Sequence, residues 1–307
     1  MTSRPQRLLN VFARIAQKPA LALPWPSLAR AGFDLNARVL YPQPNDLKVE
    51  RFTLSHDGVH LPAAWISAGD PGPATLLYIH GGGFTVGSLR GYQHLIAAIA
   101  KTAGARGLYV DYRLAPEHPF PAAVEDALTA YRATLALTAP EDLVLAGDSA
   151  GGNLVLATLH QALAEGLPMP AAAAFLSPVT DLRLINPSLM ANRRSEILLP
   201  AEACRRQILD YLADADPSDP RASPVLGRFE GVCPTLFQVD RTEMLHDDTR
   251  LMADALRRAG GEVEIEETEG LPHVWQINCG LSPEADDAVA HIGAFLKRHL
   301  NVAKPAA

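Results

Sequence analysis

The residues with the clearest chemical potential are Gly147, Asp148, Ser149, Ala150 and Gly151, in the order Gly-x-Ser-x-Gly. The short apolar run Leu143-Val144-Leu145 before them predicts a buried strand, and Leu154 to Leu159 after them predicts a helix. A strand that turns into a helix through this pattern makes a nucleophile elbow. Gly147 and Gly151 leave room for strand and helix to approach, and the serine takes strained backbone angles. Its hydroxyl then stands at the tip, above the unpaired N–H groups of the helix's first turn. Taken alone, the five residues could be a small-residue turn and nothing more.

Other segments decide between the two readings. His80-Gly81-Gly82-Gly83-Phe84 follows the continuous apolar run Ala74 to Ile79. Three glycines after a buried strand let backbone N–H groups turn inward and approach a ligand. That suits an oxyanion hole, where amides meet the negative oxygen of a tetrahedral intermediate. A phosphate cradle would need Gly-Lys-Ser/Thr or Gly-x-Gly-x-x-Gly, and neither is present.

A serine hydroxyl is a poor nucleophile at neutral pH, so it needs a base, and the base needs a group to hold its tautomer. In elbow enzymes the chain order is serine, acid, histidine. His160 and His291 fall inside predicted helices, and His246 sits at a helix start. His273 lies in the loop between the last predicted strand and the last helix, where the base belongs. Asp240, Glu243, Asp247 and Asp248 crowd the loop after the seventh strand. Glu243 is the first choice for the acid, because it sits in the loop itself and a Glu can serve. Asp247 and Asp248 also read as first-turn carboxylates at the positive end of a helix. Asp240 could be a strand-end residue bonded to its own loop.

The elements that must hold these residues alternate along the chain. Strands are expected at Val49 to Leu54, His60 to Ser67, Ala74 to Ile79, Gly107 to Asp111, Leu143 to Leu145, Ala171 to Leu176, Pro234 to Val239 and Val263 to Glu267. Helices are expected at Tyr92 to Lys101, Pro121 to Leu135, after the elbow to about Glu165, Ala201 to Ala213, from about Asp247 to Ala259, and Ala285 to Leu300. Such alternation predicts one α/β domain over residues 1–307, with a mostly parallel sheet flanked by helices. The proline-dense loop Asp111 to Pro121 reads as a stiff connection held by Arg and carboxylate contacts. The stretch Ser177 to Gly231 breaks the rhythm, and an insertion of that length is usually a lid or binding wall. At the N-terminus, Leu8, Leu9, Phe12 and Ile15 are expected on one face of an amphipathic helix packed on the protein, ended by Pro24 and Pro26. A targeting segment is the second reading of that stretch. No long exposed apolar lid is expected.

Composition is that of an ordinary globular chain, with 48% hydrophobic and 20% charged residues. A net charge of −7 gives no reason to expect a nucleic-acid partner. No apolar run approaches the roughly 18 residues of a membrane span. Cys204, Cys233 and Cys279 are odd in number and lack a Cys-x-x-Cys pair, which argues against a disulfide framework or a structural zinc and suits a reducing cytoplasm.

The motifs together resemble the bacterial hormone-sensitive-lipase-type esterases, an α/β-hydrolase family. The matching runs are His80 to Phe84, Asp111-Tyr112-Arg113-Leu114-Ala115-Pro116-Glu117-His118-Pro119, Gly147 to Gly152, Asp219 to Pro224, and His273-Val274-Trp275. The resemblance implies an α/β-hydrolase fold with a helical cap from about 1–45 and about 182–230. It implies Ser149 as nucleophile, His273 as base, and the amides of Gly82, Gly83 and Ala150 as oxyanion hole. The family's acid is usually an Asp in the pattern small-x-x-Asp-x-Leu-x-Asp. Here Glu243 stands at that position before Leu245 and Asp247, and Asp240 stands where Gly or Ala is usual. The implied activity is hydrolysis of short-chain, water-soluble carboxylic esters through an acyl-enzyme. No metal and no organic cofactor is implied, and a homodimer through the edge strand near Val263 to Glu267 is. An amidase or deacetylase would use the same residues. A non-catalytic ligand receptor on this fold is the rival from another class.

Overall fold

The computed structural model describes residues 2–23 and 25–301, so Pro24 lies outside the described residues. Among these residues eight strands form one sheet: β1 (Leu47–His56), β2 (Val59–Ala68), β3 (Ala74–Ile79), β4 (Ala105–Val110), β5 (Leu143–Asp148), β6 (Ala172–Leu176), β7 (Thr235–Asp240) and β8 (Val263–Thr268). Their spatial order is β1-β2-β4-β3-β5-β6-β7-β8. β2 pairs antiparallel with β1 and β4, and every later pairing is parallel. All residues of β3, β5, β6 and β7 are buried, which is why their sequences are nearly unbroken apolar runs.

Among the described residues, ten α-helices surround the sheet and the cavity above it. They are α1 (Arg4–Phe12), α2 (Lys18–Leu21), α3 (Pro26–Leu40), α4 (Leu89–Ala103), α5 (Ala122–Leu135), α6 (Ser149–Glu165), α7 (Ser188–Ala191), α8 (Ala201–Leu212), α9 (His246–Arg258) and α10 (Pro283–His299). Strand side chains alternate between faces. Leu77, Ile79, Leu145 and Phe237 pack with residues of α5, α6 and α9 such as Ala127, Leu156 and Met252. Leu76, Tyr78, Val144 and Leu236 pack on the other face with Ile96 of α4 and Phe295 of α10. Local chemistry sets the helix ends. Ser88 and Ser282 cap α4 and α10 by accepting from Gly91 N and Ala285 N. Gly104 and Gly166 end α4 and α6 in the left-handed region, at φ 71° and 69°.

The proline-dense loop is held as its composition predicts. The Arg113 guanidinium is fixed on the buried Asp126 carboxylate at 2.7–3.0 Å. Arg30 of α3 donates to Glu117 at 2.7–2.9 Å and to the carbonyls of Thr85 and Ala115.

The N-terminal helices differ from expectation. Leu9 and Phe12 turn toward a cavity above the sheet, whereas Leu8 and Ile15 are exposed. Residues 13–17 wind as a π-helix, which shifts the register of everything after Phe12. The expectation of no exposed apolar lid also gives way: Leu28, Leu35 and Val39 on α3 are each more than half exposed. The start of the chain is tied to the body by Ser3 on Glu284, Ser282 on Gln6, and Asn10 on the Gly270 carbonyl.

Candidate active site

β5 enters α6 through Gly147 to Gly151, and Ser149 takes φ 50°, a left-handed conformation costly for any residue with a side chain. The glycines explain how such a turn fits. A Cβ on Gly151 would lie 2.1 Å from the Ile79 carbonyl oxygen, and one on Gly147 would lie 2.6 Å from the Gly151 oxygen. Only hydrogen at these positions lets α6 start against the end of β3.

The glycine loop is fastened to the same turn. Asp148 accepts from Gly81 N at 2.9 Å, from Tyr78 at 2.9 Å and from Tyr92 at 3.1 Å. Burial pushes its carboxyl up to about 6, against the pull of those three donors. His80 stacks on Tyr112 at 4.3 Å, and Tyr112 donates to the His80 carbonyl. Burial lowers the His80 ring to about 4, so it is a neutral packing element at ordinary pH. With this backing Gly82 and Gly83 line the cavity beside Ser149. The amides of Gly82, Gly83 and Ala150 donate no hydrogen bond among the described residues, which leaves three donors for a ligand oxygen.

The end of β7 and the loop after β8 bring the imidazole and its partner together. His273 Nδ1 donates to Glu243 Oε2 at 2.6 Å, and both residues are buried. Glu243 Oε1 accepts from Ser177 Oγ at 2.7 Å and from Asp240 N at 2.9 Å. Among the described residues, the hydroxyl of Ser149 included, the ring's other nitrogen, Nε2, has no hydrogen-bond partner, and His273 lines the same cavity as Ser149. Burial works against a charged ring here. The Glu243 hydrogen bond and the charges of Glu243, Glu196 and Asp148 outweigh it and raise His273 above its ordinary value.

The other carboxylates considered for the acid lie elsewhere. Asp240 is saturated by Thr242, Thr268, Gly270 and Leu271, and so braces the His273 loop against β7. Asp247 accepts from Ser188 N. Asp248 accepts from Thr180 N, Asp181 N and Asn186. His160, His246 and His291 meet the Arg228 carbonyl, Glu267 and Glu266 respectively. Two residues were not singled out by sequence. Ser177 follows directly on β6 and shares Glu243 with His273. Glu196 is buried, accepts from Met244, Leu198 and Leu199 amides, and is pushed up by burial and by the neighbouring Glu243 charge.

The cavity holds about 810 Å³ and is lined mainly by apolar side chains such as Leu9, Phe12, Phe33, Leu199 and Ile208. A strained serine, an imidazole held on a carboxylate and three free amides on one apolar cavity can perform acyl transfer.

A family model described as the alpha/beta hydrolase fold matches residues 76–277. A crystal structure of an esterase from the bacterial hormone-sensitive lipase family superposes with a TM-score of 0.91 at 35% identity, covering 98% of this chain and all of that one. The chain belongs to that family. An acetyl-hydrolase of Streptomyces hygroscopicus is 43% identical over 239 residues, 78% of this chain and 80% of the relative. An esterase of Acinetobacter venetianus is 36% identical over 222 residues, 72% and 73% respectively. This hormone-sensitive-lipase-family protein is a carboxylester hydrolase. Within it, α1, α3, α8 and the 182–199 segment all line the cavity above Ser149. Gln207 of α8 also donates to Thr85, and Phe84 stacks on Tyr211 at 3.8 Å.

Proposed function

We propose that this esterase cleaves short-acyl carboxylic esters through an acyl-enzyme on Ser149, with His273 as base and Glu243 as the acid that holds it. The carrying observation is the Glu243–His273 contact at the wall of the cavity into which Ser149 opens. Ser149 Oγ adds to the ester carbonyl while its proton passes to His273 Nε2. The negative oxygen accepts from the amides of Gly82, Gly83 and Ala150. The intermediate collapses, the alkoxide leaves, and His273 returns the proton to it. Water then attacks the acyl-enzyme with His273 again as base, and the carboxylic acid departs. Glu243 keeps its charge throughout and stabilises the imidazolium.

The short acyl group is supported by the name of the Streptomyces relative, an acetyl-hydrolase. A cavity of about 810 Å³ then leaves most of its apolar volume to the alcohol portion. In this reading α1, α3, α8 and the 182–199 segment act as a cap. The free thiols Cys204, Cys233 and Cys279 suit a cytoplasmic setting. The outer edge of β8 is the proposed contact for a second copy, which light scattering would report as a doubled mass.

The test is turnover of p-nitrophenyl acetate. Ser149→Ala, with an unchanged circular dichroism spectrum, is expected to lose on the order of 10⁶-fold in kcat. Wild-type turnover in that variant would refute the assignment.

A further inference from the structure

We propose that the face around the cavity mouth docks on an anionic lipid bilayer. Large apolar side chains left exposed are concentrated there: of the fifteen among the described residues, eleven lie in residues 1–45 or 182–213. Leu23, Leu28, Leu35, Val39 and Met190 are exposed and also line the cavity, so they form its rim. Leu8 and Val11 on α1 and Ile15 in the π-helical turn that follows add further exposed apolar surface. Trp25, 56% exposed, caps the start of α3 on this face. An indole is the side chain that best suits the boundary between lipid headgroups and acyl chains.

Charge selects what this surface meets. Residues 1–45 hold six Lys or Arg and one acidic residue, Asp34. Residues 182–213 hold five arginines against Glu196, Glu202 and Asp210. These stretches carry +5 and +2 in a chain of −7, so the remaining residues carry −14. Arg193 and Arg205 stand at the cavity wall itself. Among the described residues, Arg14, Lys18 and Arg206 bond only to the neutral carbonyls of Ser195, Glu196, Ala22 and Leu23. Arg4, Arg38, Arg194 and Arg205 have no ion-pair or hydrogen-bond partner among the described residues. A second copy would bring two cationic faces together. An anionic bilayer attracts the arginines, accepts the leucines and tryptophan, and repels the acidic body, which orients the mouth toward lipid.

The experiment uses the full Ser149→Ala chain and sedimentation with phosphatidylcholine vesicles, with and without phosphatidylglycerol. The expected result is binding to the phosphatidylglycerol vesicles, at least about tenfold tighter than to neutral ones and weakened by salt. Val11→Glu and Ile15→Glu lie outside the cavity lining. Each is expected to cut vesicle binding about tenfold, and, in the chain that retains Ser149, to leave p-nitrophenyl acetate turnover at the wild-type value. Absent binding, equal binding to both vesicle types, or wild-type binding by both variants would overturn the proposal. A dimer in solution that Ile15→Glu dissociates, with no vesicle binding, would assign the surface to a second copy instead. Esterase activity is read separately, so a failure of docking leaves the triad assignment standing.

Discussion

At the scale of single residues, the His273 ring is held by one carboxylate, Glu243, whose Oε2 accepts from Nδ1 at 2.6 Å. Four carboxylates fall within nine residues from the last residue of β7 onward, and spacing alone does not rank them. The structure separates them by partner: only Glu243 meets His273, while Asp240, Asp247 and Asp248 serve backbone amides and hydroxyls. Glu243→Gln is therefore expected to lower kcat on the order of 10³-fold or more, because the wrong tautomer is then held. Asp247→Asn is expected to stay within about threefold of wild type; steady-state kinetics on p-nitrophenyl acetate compares them, and a larger loss in the Asp247 variant would reverse the assignment. Ser177 and Glu196 were not legible, because a serine at a strand end and a lone glutamate in an insertion carry no spacing signal. Ser177 reaches Glu243 only once β6 pairs with β7, and Glu196 reaches the acid loop only once the 186–199 segment folds over it. Reaction needs neutral His273, whose proton affinity is raised, so kcat/KM is expected to fall as pH drops through a value above about 6.5. Glu196→Gln removes a negative charge near the ring and is expected to move that acidic limb to lower pH. Glu165→Gln, far from the site, serves as the control that leaves it in place. A Glu196 role confined to packing would lower activity without moving the limb.

At the scale of elements, the sheet was readable because its central strands are buried on both faces. Continuous apolar runs such as Leu76 to Ile79 and Leu143 to Ala146 leave no competing reading at that length. The helices expected at Tyr92 to Lys101 and Ala285 to Leu300 fall within a few residues of α4 and α10, whose starts are capped by Ser88 and Ser282. The N-terminal helices were harder. Their apolar residues face two ways, into a cavity and out to the surface, and the π-helical turn at 13–17 breaks the periodicity that a helical wheel assumes. The elbow makes its own demand on the elements that meet there. Gly151→Ala would drive a methyl group against the Ile79 carbonyl, a backbone atom that cannot rotate away. Urea denaturation is expected to show a loss of about 3 kcal/mol or failure to fold. A variant as stable as wild type would mean that α6 does not need this close approach.

At the scale of the whole molecule, the chain divides its labour by charge and polarity. An acidic α/β body fixes the serine, the imidazole and the amides, and a basic, apolar-rimmed set of helices encloses the cavity above them. Net charge alone concealed that division, because +7 in the covering segments is hidden inside −7 for the chain. Catalysis depends on the body: β3, β5, β7 and β8 must end around one point for Gly82, Ser149 and His273, separated by 67 and 124 positions, to act on one carbonyl. The most direct measurement is intact-mass and peptide mapping after treatment with a p-nitrophenyl alkylphosphonate, which mimics the tetrahedral intermediate. The expected result is one phosphonyl group per chain, on Ser149, with activity lost in proportion, and no adduct in Ser149→Ala. Loss of activity with the label on another residue, or an unlabelled Ser149 in an inactivated enzyme, would contradict the account.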